Sequence, residues 1–240
     1  MKRINVLGYE VCDTNYQGIL EEMKWDILSK QKAAIISLNP NKVVLAKSNP
    51  EIHQILMNAK YLIPDGTGIL LASKKSKEKL QNRITGISLF EEVCANCNEI
   101  GGNIFLYGST SEVVQEAGKA LLLKYPGITI SGCLDGYSEF SDERLSQLKD
   151  SGANILAVAM GSPKQELWIE ENAERLENIC IFIGLGGAFD VISGRIKRAP
   201  KWMLTLGLEW LYRILRQPVA RFKNLITLAK FCKVVLSEKK

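Results

Sequence analysis

The chain has 240 residues, 46% of them hydrophobic and 24% charged, with a formal charge of +5. That balance describes a globule with a proper core and excludes a disordered chain. Its start, MKRINVLGYEVCDTN, lacks the apolar run of a signal peptide. Nowhere does it reach the roughly 18–20 uninterrupted apolar residues of a spanning helix, so it is expected to fold and stay in the cytoplasm. The single histidine, His53, excludes a histidine-rich metal site. Of six cysteines only Cys94 and Cys97 form a C-x-x-C. Without a second pair there is no tetrahedral zinc site, and reduced, structural thiols are expected.

Charge is divided unevenly along the chain. Residues 195–240 carry twelve Lys and Arg against two acids, a balance of +10, which leaves −5 on residues 1–194. A mildly acidic body with a strongly basic tail points to an anionic partner.

From about residue 33 short β-rich runs alternate with helical patterns. AAIISLN (33–39) reads as a strand. The helix through 51–60 has Ile52, Ile55, Leu56 and Ala59 on one face and His53 beside that stripe. YLIP (61–64) is a strand that ends in a turn, DGTG, before a helix over 66–74; KKSKEK (74–79) is a solvated face. A helix over 88–100, the strand NIFLYG (103–108), a helix over 112–125 and the strand ITISG (128–132) follow. A helix near 141–150, the strand NILAVAMG (154–161), the helix PKQELWIEENAERL and the strand ICIFIGLG (179–186) close the series. Several strands are apolar almost throughout, as parallel strands covered on both faces are. The pattern predicts an α/β fold, a Rossmann-like, mainly parallel sheet flanked by helices.

Around Arg195 the pattern changes, so the chain divides into an α/β body, 1–194, and a basic C-terminal helical appendage, 195–240. After Pro218, Phe222, Leu225, Ile226 and Ala229 share a helical stripe, with Arg221, Lys223 and Lys230 off it. Two readings stand: a basic amphipathic segment for a membrane interface, or a helix pair docked on the body with Trp202 and Trp210 in the core.

In parallel α/β sheets ligands bind beyond the carboxyl ends of the strands. Small and polar residues cluster at those ends here: Ser37 and Asn39; Asp65 to Gly68; Gly108 to Thr110; Asp135 to Tyr137; Gly161 to Glu166; and Gly184 to Asp190. Helices starting at Ser111, Pro163 and Gly187 would aim free N–H groups at the same rim, a ready diphosphate site. Asp65 is either a turn former and helix cap or an acid held where something reacts. IFIGLGGAFD (181–190) fails the dinucleotide fingerprint because Phe189 replaces its third glycine, which argues against an NAD enzyme. GSPKQE is not a P-loop, and the chain has no Asp-x-Asp to anchor manganese. Anion handling falls to helix ends, amides and arginines.

GSPKQELWIEEN, GLGGAFDVISGRIKRAPKWM and LGLEWLYRILRQP closely resemble the signature segments of the WecG/TagA/CpsF glycosyltransferases, and PDGTGI and the Asn39 strand end are similar too. The resemblance covers nearly the whole chain. It implies an inverting, metal-independent sugar transfer with no cofactor. The donor would be a UDP-sugar, the acceptor a polyprenyl-diphosphate-linked sugar, the place the inner face of the cell membrane, and the product teichoic acid or another surface polysaccharide. The best-known members transfer N-acetylmannosamine or its uronic acid to undecaprenyl-diphosphate-GlcNAc.

On that resemblance Asp65 is the expected general base. Ser37, Asn39, Gly108, Tyr137, Gly161, Lys164, Gln165, Glu166 and Asp190 are expected at the donor, with Tyr137 alternatively a packed loop aromatic. Arg83, Arg213, Arg216 and Arg221 would neutralise phosphates, or be surface arginines. The appendage would complete the active site and touch an anionic membrane. Ser37 stands where the family often has Thr, and Ser88 where an Asp is common. The rival is a non-catalytic nucleotide-binding α/β protein gripping membrane or RNA by its tail. Nucleic acid is disfavoured, since the tail lacks base-stacking modules, and self-association is left open.

Overall fold

The computed structural model describes residues 1–216 and 218–237; the side chains of 213 and 218–224 lie outside the described residues. An antiparallel hairpin, β1 (Arg3–Val6) and β2 (Tyr9–Cys12), precedes the sheet. Helix α1 (Tyr16–Ser29) follows, its first turn capped by Asn15, whose Oδ1 accepts the Gly18 N–H. Then come β3 (Ala33–Leu38), α2 (Pro40–Ala46), α3 (Pro50–Asn58), β4 (Tyr61–Pro64), α4 (Thr67–Ser73) and α5 (Gly86–Ala95). The rest of the body is β5 (Ile104–Gly108), α6 (Ser111–Lys124), β6 (Ile130–Leu134), α7 (Asp142–Asp150), β7 (Ile155–Ala159), α8 (Lys164–Asn172), β8 (Ile181–Gly184) and α9 (Ala188–Ile192). Helices α10 (Lys201–Thr205), α11 (Glu209–Arg216) and α12 (Pro218–Ser237) form the appendage.

Strands β3 to β8 make one parallel sheet in the order β4-β3-β8-β7-β5-β6. Alternate residues of each strand enter opposite layers, which is why the strands read as unbroken apolar runs. Ile35, Ile63, Leu106, Ala157 and Ile183 pack against α1, α5, α6 and α9. On the other face Ile36 and Leu62 meet the hairpin, α2, α3, α4 and Phe231. Tyr107, Val158 and Phe182 meet α7 and α8. The α/β fold is therefore the expected one.

The hairpin, α1 and α2 are additions that the sequence pattern did not announce. Strand β6 lies two residues later than ITISG suggested, and α5 begins two residues earlier than expected and stops at Ala95. His53 is on the exposed side of α3, its Nδ1 3.0 Å from the Tyr9 hydroxyl. All six cysteines are free thiols.

The appendage docks, but not through its tryptophans. Trp202 is 60% and Trp210 41% exposed, so the reading that placed both in the core is corrected. Met203 and Phe231 turn inward instead. The fork of Arg195 on Glu116 (2.7 and 2.8 Å) and the bonds from Arg198 to Glu91 (2.5 Å) and Ser88 (2.6 Å) tie its start to α6 and α5. At its far end Lys75 Nζ donates to the Val235 carbonyl at 2.5 Å, so KKSKEK is not purely a solvated face. Leu225, Ile226 and Ala229 of the expected stripe face outward, whereas Leu228, Phe231, Val234 and Val235 face the body. Helix α12 is apolar on two sides. Among the described residues no helix is long and apolar enough to cross a membrane.

Candidate functional site

All six strands are parallel, so their carboxyl ends share one rim. Neighbouring β3 and β8 send their next helices to opposite faces, α2 to one and α9 to the other. The loops part there, and a crevice opens. It holds a cavity of about 520 Å³, within the size range of small-molecule sites. The floor comes from the ends of β3 (Ser37, Asn39), β4 (Asp65 to Gly68) and β8 (Gly184 to Ala188), with Thr85 to Ile87 and Gln165 at the sides. The outer wall is apolar and comes from Leu71 and the appendage: Gly207, Trp210, Ile214 and Leu228, with Glu209 the one acid among them.

Asp65 follows directly on β4, and its N–H donates to the Leu38 carbonyl at 2.8 Å. The cap position of α4 belongs to Gly66, at φ +93°, where a side chain would be strained, and no side chain caps that helix. Asp65 is therefore not the N-cap residue of α4. Two residues on, a Cβ at Gly68 would lie 2.7 Å from Pro40 Cγ and 3.3 Å from the Phe231 ring. The small residues of PDGTGI thus let α4, α2 and α12 close on one another behind the acid.

Asn39 does cap: its Oδ1 accepts the Lys42 N–H at 3.0 Å, opening α2, and the residue still lines the cavity. Arg83 lies at the cavity with Nη2 on the Leu204 carbonyl, 2.7 Å, so it joins the body to the appendage. Gln165 is buried at the first turn of α8, its Oε1 accepting the Gly186 N–H at 2.7 Å. Glu166 lies behind it, paired with the Lys42 ammonium at 2.7 Å. Burial pushes the Glu166 carboxyl up, but Lys42 outweighs it and holds the group below the usual carboxylate range.

The structure brings Ser37, Asn39, Asp65, Arg83 and Gln165 together in this cavity. Gly108, Tyr137, Gly161, Lys164, Glu166 and Asp190 do not line it. Gly108 and Tyr137 lie along the same rim toward β5 and β6. Gly108 is needed for packing, since a Cβ there would sit 2.3 Å from the Ala159 carbonyl oxygen. Tyr137 is 77% exposed, in a loop that Asp135 organises by accepting the N–H groups of Tyr137 and Ser138. Gly161 and Lys164 flank the start of α8, and Asp190 sits half-buried in the first turn of α9. Arg216 is exposed and stacks on Tyr212; the side chains of Arg213 and Arg221 lie outside the described residues. Among the described residues no three His, Cys, Asp or Glu side chains gather as metal ligands.

Sequence reasoning missed Lys42, Thr85 and the Trp210–Ile214 wall. Asn39-Pro40 is a helix-start signal that would have revealed α2 and with it Lys42. The wall had no such signal, because nothing local says which side of a short amphipathic helix meets a crevice.

A carboxylate, an arginine and buried amides around a strand-end crevice form the layout of a group-transfer enzyme for anionic substrates. Over residues 4–240 the chain matches the model of the glycosyl transferase WecG/TagA/CpsF family. It is 33% identical over 229 residues, 95% of this chain and 89% of the relative, to an N-acetylglucosaminyldiphosphoundecaprenol N-acetyl-beta-D-mannosaminyltransferase of Bacillus subtilis (strain 168). A protein of the same name from Bacillus spizizenii (strain ATCC 23059 / NRRL B-14472 / W23) is 32% identical over 240 residues, covering 100% of this chain and 92% of that one. The chain belongs to the WecG/TagA/CpsF glycosyltransferase family, and it is an enzyme, not a passive nucleotide binder.

Proposed function

We propose that the enzyme transfers N-acetylmannosamine or a related hexose from a UDP-sugar to an undecaprenyl-diphosphate-linked GlcNAc-type acceptor, with inversion and without a metal, in teichoic acid or other surface-polymer synthesis. The acceptor and the sugar class rest on the names of the two relatives. The observation that carries the mechanism is Asp65, an acid in the strand-end cavity that the fold does not use as a helix cap. The acceptor hydroxyl attacks the anomeric carbon from the face opposite the diphosphate. Its oxygen–carbon bond forms as the carbon–oxygen bond to UDP breaks, and Asp65 takes the hydroxyl proton. UDP leaves with the bonding pair. The N-terminus of α5 at Thr85 and Gly86 and the guanidinium of Arg83 offset its charge. Asn39, Ser37 and Gln165 orient the sugar and diphosphate. The uridine extends along the rim toward Gly161, Gly108 and Tyr137, with Lys164 and Asp190 beside its path. Arg213, Arg216 and Arg221 bring further charge to the acceptor diphosphate.

The enzyme would act as a peripheral protein on the inner membrane face. Supporting this are Leu71 and Trp210, exposed where they line the cavity, the exposed Trp202 and Leu206 of the appendage, and the basic charge of the tail. The test incubates a panel of UDP-sugars with a polyprenyl-diphosphate-GlcNAc analogue and measures UDP release, with and without EDTA. Turnover with UDP-N-acetylmannosamine that survives EDTA is expected. Turnover with no UDP-sugar, or a strict need for Mn²⁺ or Mg²⁺, would overturn the proposal.

A further inference from the structure

Glu166 stands behind the cavity instead of in it. Its side chain is 1% exposed, and Oε1 takes both Lys42 Nζ at 2.7 Å and Gln165 Nε2 at 2.8 Å. Gln165 passes the constraint on, its Oε1 accepting the Gly186 N–H at 2.7 Å. Gln165 and Gly186 both line the cavity. One chain of contacts thus links the helix after β3, the helix after β7 and the loop after β8.

We propose that Lys42 and Glu166 are positioning residues, whose ion pair fixes the orientation of the Gln165 carboxamide and, through it, the Gly186 loop of the donor site. The link to the donor rests on reading this cavity as the UDP-sugar site. An ionised carboxylate only accepts hydrogen bonds, so it selects the NH2 end of Gln165. The Gly186 N–H only donates, so it selects the oxygen end. The two demands agree, and one Nε2–H is left for a ligand oxygen. Glu166 Oε2 is buried without a hydrogen-bond partner, so without Lys42 the carboxylate would keep only the neutral side chains of Gln165 and Ser162 as support. A buried charge in that state is unfavourable, and the group would take up a proton or pull away. The arrangement also explains Gly184, where a Cβ would come within 2.7 Å of Gln165 Nε2.

Lys42→Met, Glu166→Gln and the double variant separate positioning from direct contact. UDP affinity is measured by calorimetry, exchange of the Gly186 amide is measured without ligand, and thermal unfolding of each variant is followed. Lys42→Met should weaken UDP binding about tenfold or more and speed exchange at Gly186. The double variant should return both toward wild type, because the introduced amide still accepts from Gln165 and no buried charge is left unpaired. Unchanged exchange at Gly186 in Lys42→Met would overturn the proposal. So would a double variant no better than the single, since Lys42 would then touch the ligand itself. If Lys42→Met does not fold, the double variant against wild type decides: equal exchange supports positioning, faster exchange refutes it. If wild type does not bind UDP, the donor reading fails, and the Gly186 exchange still decides the positioning.

Discussion

At the scale of single residues, Asp65 is the proposed general base, and its substitution is the sharpest test of that role. Asp65→Asn preserves size and leaves the Gly66 cap untouched. It should lower turnover by about 10²–10⁴-fold while UDP affinity and melting temperature stay near wild type. A melting temperature that fell in step with activity would instead make Asp65 a structural residue. This acid was legible because a turn accepts Asn or Ser as readily, so an acid between Pro64 and Gly66 at the end of a strand asks for a reason. Gln165 was legible as a residue of the strand-end rim, and it lines the cavity, but its geometry was not legible. Its partner Gly186 is 21 residues after it, and Lys42, which pairs with the neighbouring Glu166, is 123 residues before it; only the folded sheet brings them together.

At the scale of elements, the parallel strands were readable because burial on both faces makes them apolar throughout, and their helices, α1 and α2 excepted, because caps and periodicity agree. The hairpin was not. Its strands are four residues each, and a pattern of period two cannot be recognised in so short a run. Helix α12 was readable as a helix but not in its orientation, since both its sides are apolar. Phe231 decides that orientation, being 4% exposed against the α2–α4 layer. Phe231→Ala should destabilise the protein by about 3–5 kcal/mol, read from denaturant midpoints. It should also reduce activity below the unfolding transition, because Leu228 of the same helix lines the cavity. A loss under 1 kcal/mol would mean that α12 is only loosely attached.

At the scale of the whole molecule, residues 195–240 carry both net positive charge and exposed apolar side chains. The appendage holds a net charge of +10 against −5 on the body, and Trp202, Leu206, Leu225 and Ile226 are among its exposed apolar side chains. Each basic residue near an anionic surface is worth about 1 kcal/mol, so attachment should be salt-sensitive, with a salt-resistant share from apolar insertion. In liposome sedimentation the pair Trp202→Glu and Leu206→Glu should abolish the salt-resistant share and leave circular dichroism unchanged, because both positions are exposed. Retention at high salt equal to wild type would remove this face as the anchor.

The apolar outer wall of the cavity has a consequence for timing. Leu71 and Trp210 line the cavity and are also exposed, 59% and 41%, so its mouth opens on the face proposed to meet lipid. Once that face is seated, a water-soluble, doubly charged nucleotide has no aqueous path through the mouth, whereas a lipid-borne acceptor arrives along the surface. Loading should therefore be sequential, nucleotide first and lipid second, with UDP the last product to leave. Product-inhibition kinetics on vesicles read this directly: UDP should compete with the nucleotide sugar and not with the lipid. In detergent micelles, where the seat is small and short-lived, the order should relax toward random.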